Sequence, residues 1–139
     1  MPYSKISSTA ALKLAALLSF TLLLVANAAF ADVMQDCGRK EKTLEDVHSC
    51  VVATEQRSIR ELRERGNVIA KKLRSADDKA GFRSYVAGES NLIRERKKIC
   101  EMAEKVAVNA KTDAELARLS CQADVNFAHL VDLAKRYPE

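Results

Sequence analysis

Residues 43–73 read TLEDVHSCVVATEQRSIRELRERGNVIAKKL, and this run decides the fold class. It opens on Thr43, whose side-chain oxygen suits a helix N-cap. Glu45 and Asp46 follow in the first turn, where the helix dipole favours carboxylates. Val47, Val51, Thr54, Ser58, Leu62, Ile69 and Leu73 then recur three, four or seven residues apart, which places them on one helical face. Gly66-Asn67 is a candidate kink or brief interruption.

The same pattern continues outward. Ser75 to Asp78 reads as a turn. A second helix follows, with Phe82, Tyr85, Val86, Leu92, Ile93, Ile99, Ala103 and Val106 on its expected buried side. Asn109 to Thr112 is the next turn. Thr112 and Asp113 supply a cap with Glu115 at capping-box distance, and a third helix carries Leu116, Leu119, Ala123, Phe127, Leu130 and Ala134. Proline is absent between Cys37 and Tyr137, and no run alternates apolar and polar residues with the β-branched enrichment of a strand. The expected fold is all-α, a three-helix antiparallel bundle, since short connections make neighbouring helices antiparallel.

The N-terminal segment reads as a signal peptide over residues 1–31. Lys5 and Lys13 give it a positive start, Leu14 to Val25 form a short apolar run, and Ala29-Phe30-Ala31 supply small residues ahead of a cut before Asp32. A membrane anchor needs about 20 apolar residues, and Asn27 with its small neighbours suits cleavage better. The expectation is an exported chain, periplasmic or secreted, with no stable membrane anchor after cleavage and with residues 32–139 forming one domain.

Removing the segment changes the charge balance. Lys5 and Lys13 are its only charged residues, so 21 basic side chains remain against 19 acidic ones, and the net charge falls from +4 to +2. Only Phe82, Tyr85, Phe127 and Tyr137 remain as aromatics. A nucleic-acid binder wants a basic face with stacking groups, so that class is set aside.

Four cysteines, Cys37, Cys50, Cys100 and Cys121, lie beyond the cut. An even count in a small exported chain implies two disulfides. Cys50 lies about 26 residues before the turn at 76 and Cys100 about 24 after it, so antiparallel helices of equal rise bring both to one level. Cys121 reaches the same level across the next turn, and Cys37 precedes the first helix at that end. This favours Cys50–Cys100 with Cys37–Cys121, and the sequence leaves the other two connectivities open.

Chemistry is thinly represented. His48 lies near Cys50, but a nucleophilic cysteine must be a free thiolate, and an exported Cys50 is expected to be oxidised. His48 and Cys50 are two apart on a helix and point in different directions. No Cys or His pair has zinc-ligand spacing, and no C-x-x-C is present. No catalytic, cofactor or metal residue is therefore assigned, and the chain is not expected to be an enzyme. The charged runs Arg94-Glu95-Arg96-Lys97-Lys98 and Arg57, Arg60, Glu61, Arg63, Glu64, Arg65 read as solvated helix faces, with a docking patch as the alternative.

The frame Cys37, then Thr43 seven residues before Cys50, then Arg96 four before Cys100, then Cys121, resembles the lysozyme inhibitor LprI-like family over roughly residues 34–134. Glu89 and Leu92 stand where that pattern has Gln-x-x-Trp. Asn126 and His129 stand where it has Thr and Arg. The resemblance implies a small exported helical domain that binds a protein partner, with lysozyme as a candidate. The competing expectation is a helical periplasmic interaction or stress protein with another partner. The oligomeric state is left open.

Overall fold

A computed structural model describes residues 32–138. Residues 1–31, over which a signal peptide is expected, lie outside the described residues. Four helices follow in order: α1 (Asp32–Lys40), α2 (Leu44–Ser75), α3 (Lys79–Asn109) and α4 (Ala114–Arg136). No strand is present among the described residues. The three long helices stand where the apolar stripes put them. The addition is α1, which carries Cys37 as part of a helix rather than as a lead-in.

The ends of the helices follow from their capping residues. Thr43 Oγ1 accepts the Asp46 N–H at 3.1 Å, and its hydroxyl donates to Asp46 Oδ2 at 2.6 Å. Asp78 caps α3 through the Gly81 N–H, and Asp113 caps α4 through the Leu116 N–H. Both interhelix turns use one device. Asp77 donates to the Arg74 carbonyl and Asp78 to that of Leu73, while Lys111 donates to Val108 and Thr112 to Ala107. This pair of bonds is the Schellman closure, which needs a left-handed residue just past the helix. Asp77 (φ 50°) and Lys111 (φ 56°) take that conformation. Each closing motif therefore runs directly into the next N-cap, and the chain reverses within a few residues.

Packing is organised by α4. The long helices α2 and α3 each bury only three residues, Val51, Ser58 and Ile69 in one and Tyr85, Cys100 and Ala107 in the other. The shorter α4 buries nine, because it lies between the other two and has neighbours on both flanks. It enters every part of the core. Leu116 and Ala123 meet Val33, Cys37 and Val51; Cys121 and Val125 meet Cys100; Leu133 meets Ile69 and Tyr85. Its C-terminal end is held by Arg65, which donates to the Tyr137 carbonyl, and by Lys72 Nζ, 2.8 Å from the Pro138 carbonyl.

The disulfides correct the pairing favoured from the sequence. They join Cys37 to Cys50 and Cys100 to Cys121, with Cα separations of 5.8 and 5.5 Å. The level argument placed the cysteines at the correct height but carried no information about direction around each axis. Cys50 faces α1 and Cys121 faces α3, and α4 stands between Cys50 and Cys100. Loops of these lengths restrict the unfolded chain by about 3 kcal/mol each in the chain-entropy account. The apolar side assigned to α3 also needs revision. Val86, Ile93 and Val106 are exposed, at 45 %, 56 % and 67 %, because α3 packs mainly against α4 and meets α2 over a smaller surface, around Phe82 and Tyr85.

Helix α2 runs through Gly66-Asn67 without a break, so no interruption falls there. The glycine is there for space. A Cβ on Gly66 would lie 2.6 Å from the Tyr85 hydroxyl oxygen and 3.9 Å from the ring carbon that bears it. Gly66→Ala should lower stability despite a helix-propensity gain of about 1 kcal/mol, because the hydroxyl of a mostly buried ring has to move. In the Tyr85→Phe background the same change meets only the ring carbon and should raise stability. Urea unfolding of the four proteins reads this reversal of sign directly.

Candidate binding groove

The chemistry-bearing residues weighed from the sequence are dispersed or committed to structure. Cys50 is in a disulfide, and none of the four cysteines is free. His48 lies half-buried on α2 and His129 is buried on α4. Among the described residues no cluster of His, Cys, Asp and Glu could hold a metal ion, and no helix is long and apolar enough to cross a membrane.

What the fold does build is a groove. Because α4 holds α2 and α3 apart, their outer sides face each other across an opening of about 450 Å³. Ile59, Leu62, Gly66 and Ala70 line it from α2. Phe82, Tyr85, Val86, Leu92 and Ile93 line it from α3. Arg63, Arg74 and Arg96 stand around it, with Glu89 the one carboxylate among the lining residues. The guanidinium of Arg74 lies 4.7 Å from the centre of the Phe82 ring, so that cation covers one end of the apolar strip.

Two polar crossings run beneath the groove. Arg96 donates to Asn126 Oδ1 at 2.6 Å, Asn126 Nδ2 donates to Ser58 Oγ at 2.9 Å, and the Ser58 hydroxyl donates to the Glu55 carbonyl at 2.6 Å. This chain ties α3 to α4 to α2 through side chains that are fully buried at Ser58 and Asn126. The second crossing is His129 Nε2 donating to Glu89 Oε1 at 2.7 Å, with His129 buried and Glu89 partly exposed to the groove. Arg96 thus departs from the solvated run that surrounds it. Arg94, Glu95, Lys97 and Lys98 are exposed, while Arg96 turns inward.

Of the crossing residues, Ser58 was legible as a buried-face position from its spacing. Asn126, His129 and Glu89 were visible only as departures from the pattern that the cysteine frame resembles. Ser120 and Asp124, also buried on α4, gave no signal, because apolar periodicity does not register a polar residue on the packed face. Had α4 been read as central, with neighbours on both flanks, its polar positions would have been expected to find partners.

The Tyr85 phenol is pushed above its ordinary value of 10.0, first by burial and then by the charge of Glu89 and by Tyr137. Tyr137 meets it edge-on at 5.9 Å between ring centres. The described residues form a disulfide-pinned helical bundle whose open face has an apolar floor rimmed by cations. Compared with protein-family models, curated proteins and solved structures, the chain matches none.

Two outcomes follow from this geometry. Ser58→Ala and Asn126→Ala should each cost about 1–3 kcal/mol, the range for stranding a buried hydrogen-bond partner. The double variant should cost less than the sum of the two, by more than about 0.5 kcal/mol. Strict additivity in a denaturant titration would show that they do not act together. The raised Tyr85 pKa means that the unfolded chain releases this proton first as pH rises. The resulting stability is present below 10.0 and is lost as pH climbs through the higher folded value. Thermal unfolding at pH 8 and pH 11 should therefore show a larger fall for the wild type than for Tyr85→Phe.

Proposed function

We propose that this chain is an exported, periplasmic protein-binding module that seats an apolar segment of a partner protein between α2 and α3. The observation that carries the reading is the groove, where Val86 and Ile93 are 45 % and 56 % exposed although the fold has a core elsewhere to bury them. Burying apolar surface of this kind drives association, and side chains that the monomer does not use for packing are free to supply it. The two disulfides fit an oxidising compartment. The cysteine frame, with Thr43 and Arg96 in place, supports membership of the LprI-like lysozyme inhibitors. Neither crossing nor groove places a nucleophile beside a base, which leaves binding as the better supported activity.

The charge of the groove favours a second reading within the binding class. Three arginines against one carboxylate, itself engaged by His129, suit an acidic partner. Many lysozymes are basic, and a basic partner would be repelled from this rim. A partner other than lysozyme, with an acidic and apolar docking segment, is therefore the alternative to inhibition.

Both readings are tested with one variant. Ile93→Glu changes an exposed position and should leave the thermal midpoint within about 2 °C. If the chain is an inhibitor, stoichiometric wild-type protein slows cell-wall lysis by at least one lysozyme class, and Ile93→Glu restores the rate. Undiminished lysis across several lysozyme classes rejects inhibition. Retention of a purified partner by the wild type, with at least tenfold weaker binding by Ile93→Glu, supports the groove. Equal binding by the two proteins rejects it.

A further inference from the structure

We propose that the Cys37–Cys50 bridge is a reducible site, opened by a dithiol that reaches Cys50 through the cleft beside it, and that its opening frees α1 from the bundle. The two bridges differ in access. Cys100 and Cys121 are 1 % and 3 % exposed and sit among Leu92, Ile99, Ala103 and Val125. An opening of about 350 Å³ borders Cys100 but not Cys121. Cys37 is 2 % exposed, whereas Cys50 is half-buried, and both border a larger cleft of about 480 Å³ between α1, α2 and α4. Phe127, Ala128 and the exposed Val131 give this cleft an apolar wall. Lys40 and Arg57 border it together with Asp36 and Asp124, so no single sign of charge turns a thiolate away. Access of this kind governs the rate of thiol–disulfide exchange.

The exchange balances between the two dithiols. A thiolate of the reductant attacks Cys50 Sγ, the sulfur–sulfur bond breaks, and Cys37 leaves with the bonding pair and takes a proton. The reductant's second thiolate then attacks its own partner sulfur in the mixed disulfide, and Cys50 leaves and is protonated. The reductant ends as a disulfide, and the chain has gained two electrons and two protons. What the bond holds is small. Helix α1 has nine residues, and an isolated helix shorter than about 12–15 residues is marginal in water. Beyond the bridge, α1 is seated by Val33 and Met34 in the cluster around Val51, Leu116 and Ala123, and by the Val33 N–H, which donates to Asp124 Oδ1 at 3.1 Å. The rest of the bundle is built without it. The clusters around Ile69, Tyr85 and Leu133 and around Cys100, Cys121 and Val125 contain no α1 residue. Opening the bridge therefore releases α1, leaves α2 to α4 in place and bares Val51, Leu116 and Ala123, all of them buried while α1 is docked. The redox state of one bond sets whether this end of the bundle presents apolar surface. The groove between α2 and α3 takes no part, since the cleft has no residue of α3 in its lining.

The test reduces the disulfide-intact protein with dithiothreitol in native buffer, quenches by alkylation at timed intervals and maps the labelled peptides. Cys37 and Cys50 should acquire label faster than Cys100 and Cys121, on the order of tenfold or more. Equal rates for the two bridges, or earlier opening of Cys100–Cys121, overturn the site, because bonds reached only by unfolding of the whole bundle open together. Release of α1 is read by hydrogen exchange on protein alkylated at Cys37 and Cys50 alone. Amides of residues 34–40 should exchange on the order of tenfold faster than in the oxidised protein, and those of residues 121–133 should keep their protection. Protection retained by α1 overturns the release. Protection lost throughout α4 overturns it as well, since the bond then holds the bundle and not α1 alone. The double variant Cys37→Ser with Cys50→Ser, which carries no alkyl groups, should give the same pattern; a protected α1 in that variant assigns the opening to the alkyl groups and overturns the release.

Discussion

The structure depends on the position of α4 between α2 and α3. A helix with one neighbour needs one apolar stripe, whereas a helix with two needs a broad packed surface. The 23 residues of α4 provide that surface with nine buried side chains, four of them polar. From this placement follow the thin burial of the two longer helices, the separation of the core into three clusters that all include α4, the choice of disulfide partners, and the open groove. Had α2 and α3 packed fully on one another, Ile93 and Val86 would be core residues and no apolar strip would face outward.

The polar positions on α4 explain how such a surface stays specific. Apolar packing alone would let α4 rotate between its neighbours at small cost. Asn126 and His129 remove that freedom, since each has to meet a particular group, Ser58 with Arg96 for one and Glu89 for the other. The residues that depart from the LprI-like pattern are therefore not scattered. Glu89 and His129 are bonded to each other, and Asn126 receives Arg96, which fits the pattern. Because Glu89 and Arg96 also line the groove, the contacts that fix α4 and the surface offered to a partner share residues.

Much of this was legible in the chain. Thr43 and Asp113 have the chemistry of N-caps and act as caps, and the turns fall at residues 76–78 and 110–113 because capping aspartates follow there. Val51, Ser58, Ile69, Tyr85, Leu116 and Ala123 were placed on buried faces by spacing alone. The failures share one cause. Periodicity says which side of a helix is apolar, but not what stands opposite. So Val106, placed on the buried side of its helix, is exposed, and Cys50 at the level of Cys100 is bonded to Cys37. The short α1 gave little signal, since only Val33, Met34 and Cys37 are apolar in nine residues that include Gly38. The groove could not be read at all, because it is a property of the spacing between helices and not of any one of them.

The central claim is that α4 separates α2 from α3, and the disulfide pairing reports on that separation most directly. Proteolysis of the unreduced, exported protein followed by mass spectrometry of the linked peptides identifies the partners. The account predicts Cys37 linked to Cys50 and Cys100 linked to Cys121, with no free thiol. A Cys50–Cys100 link would contradict it, because that bond brings α2 against α3 at the level where α4 must stand and closes the groove.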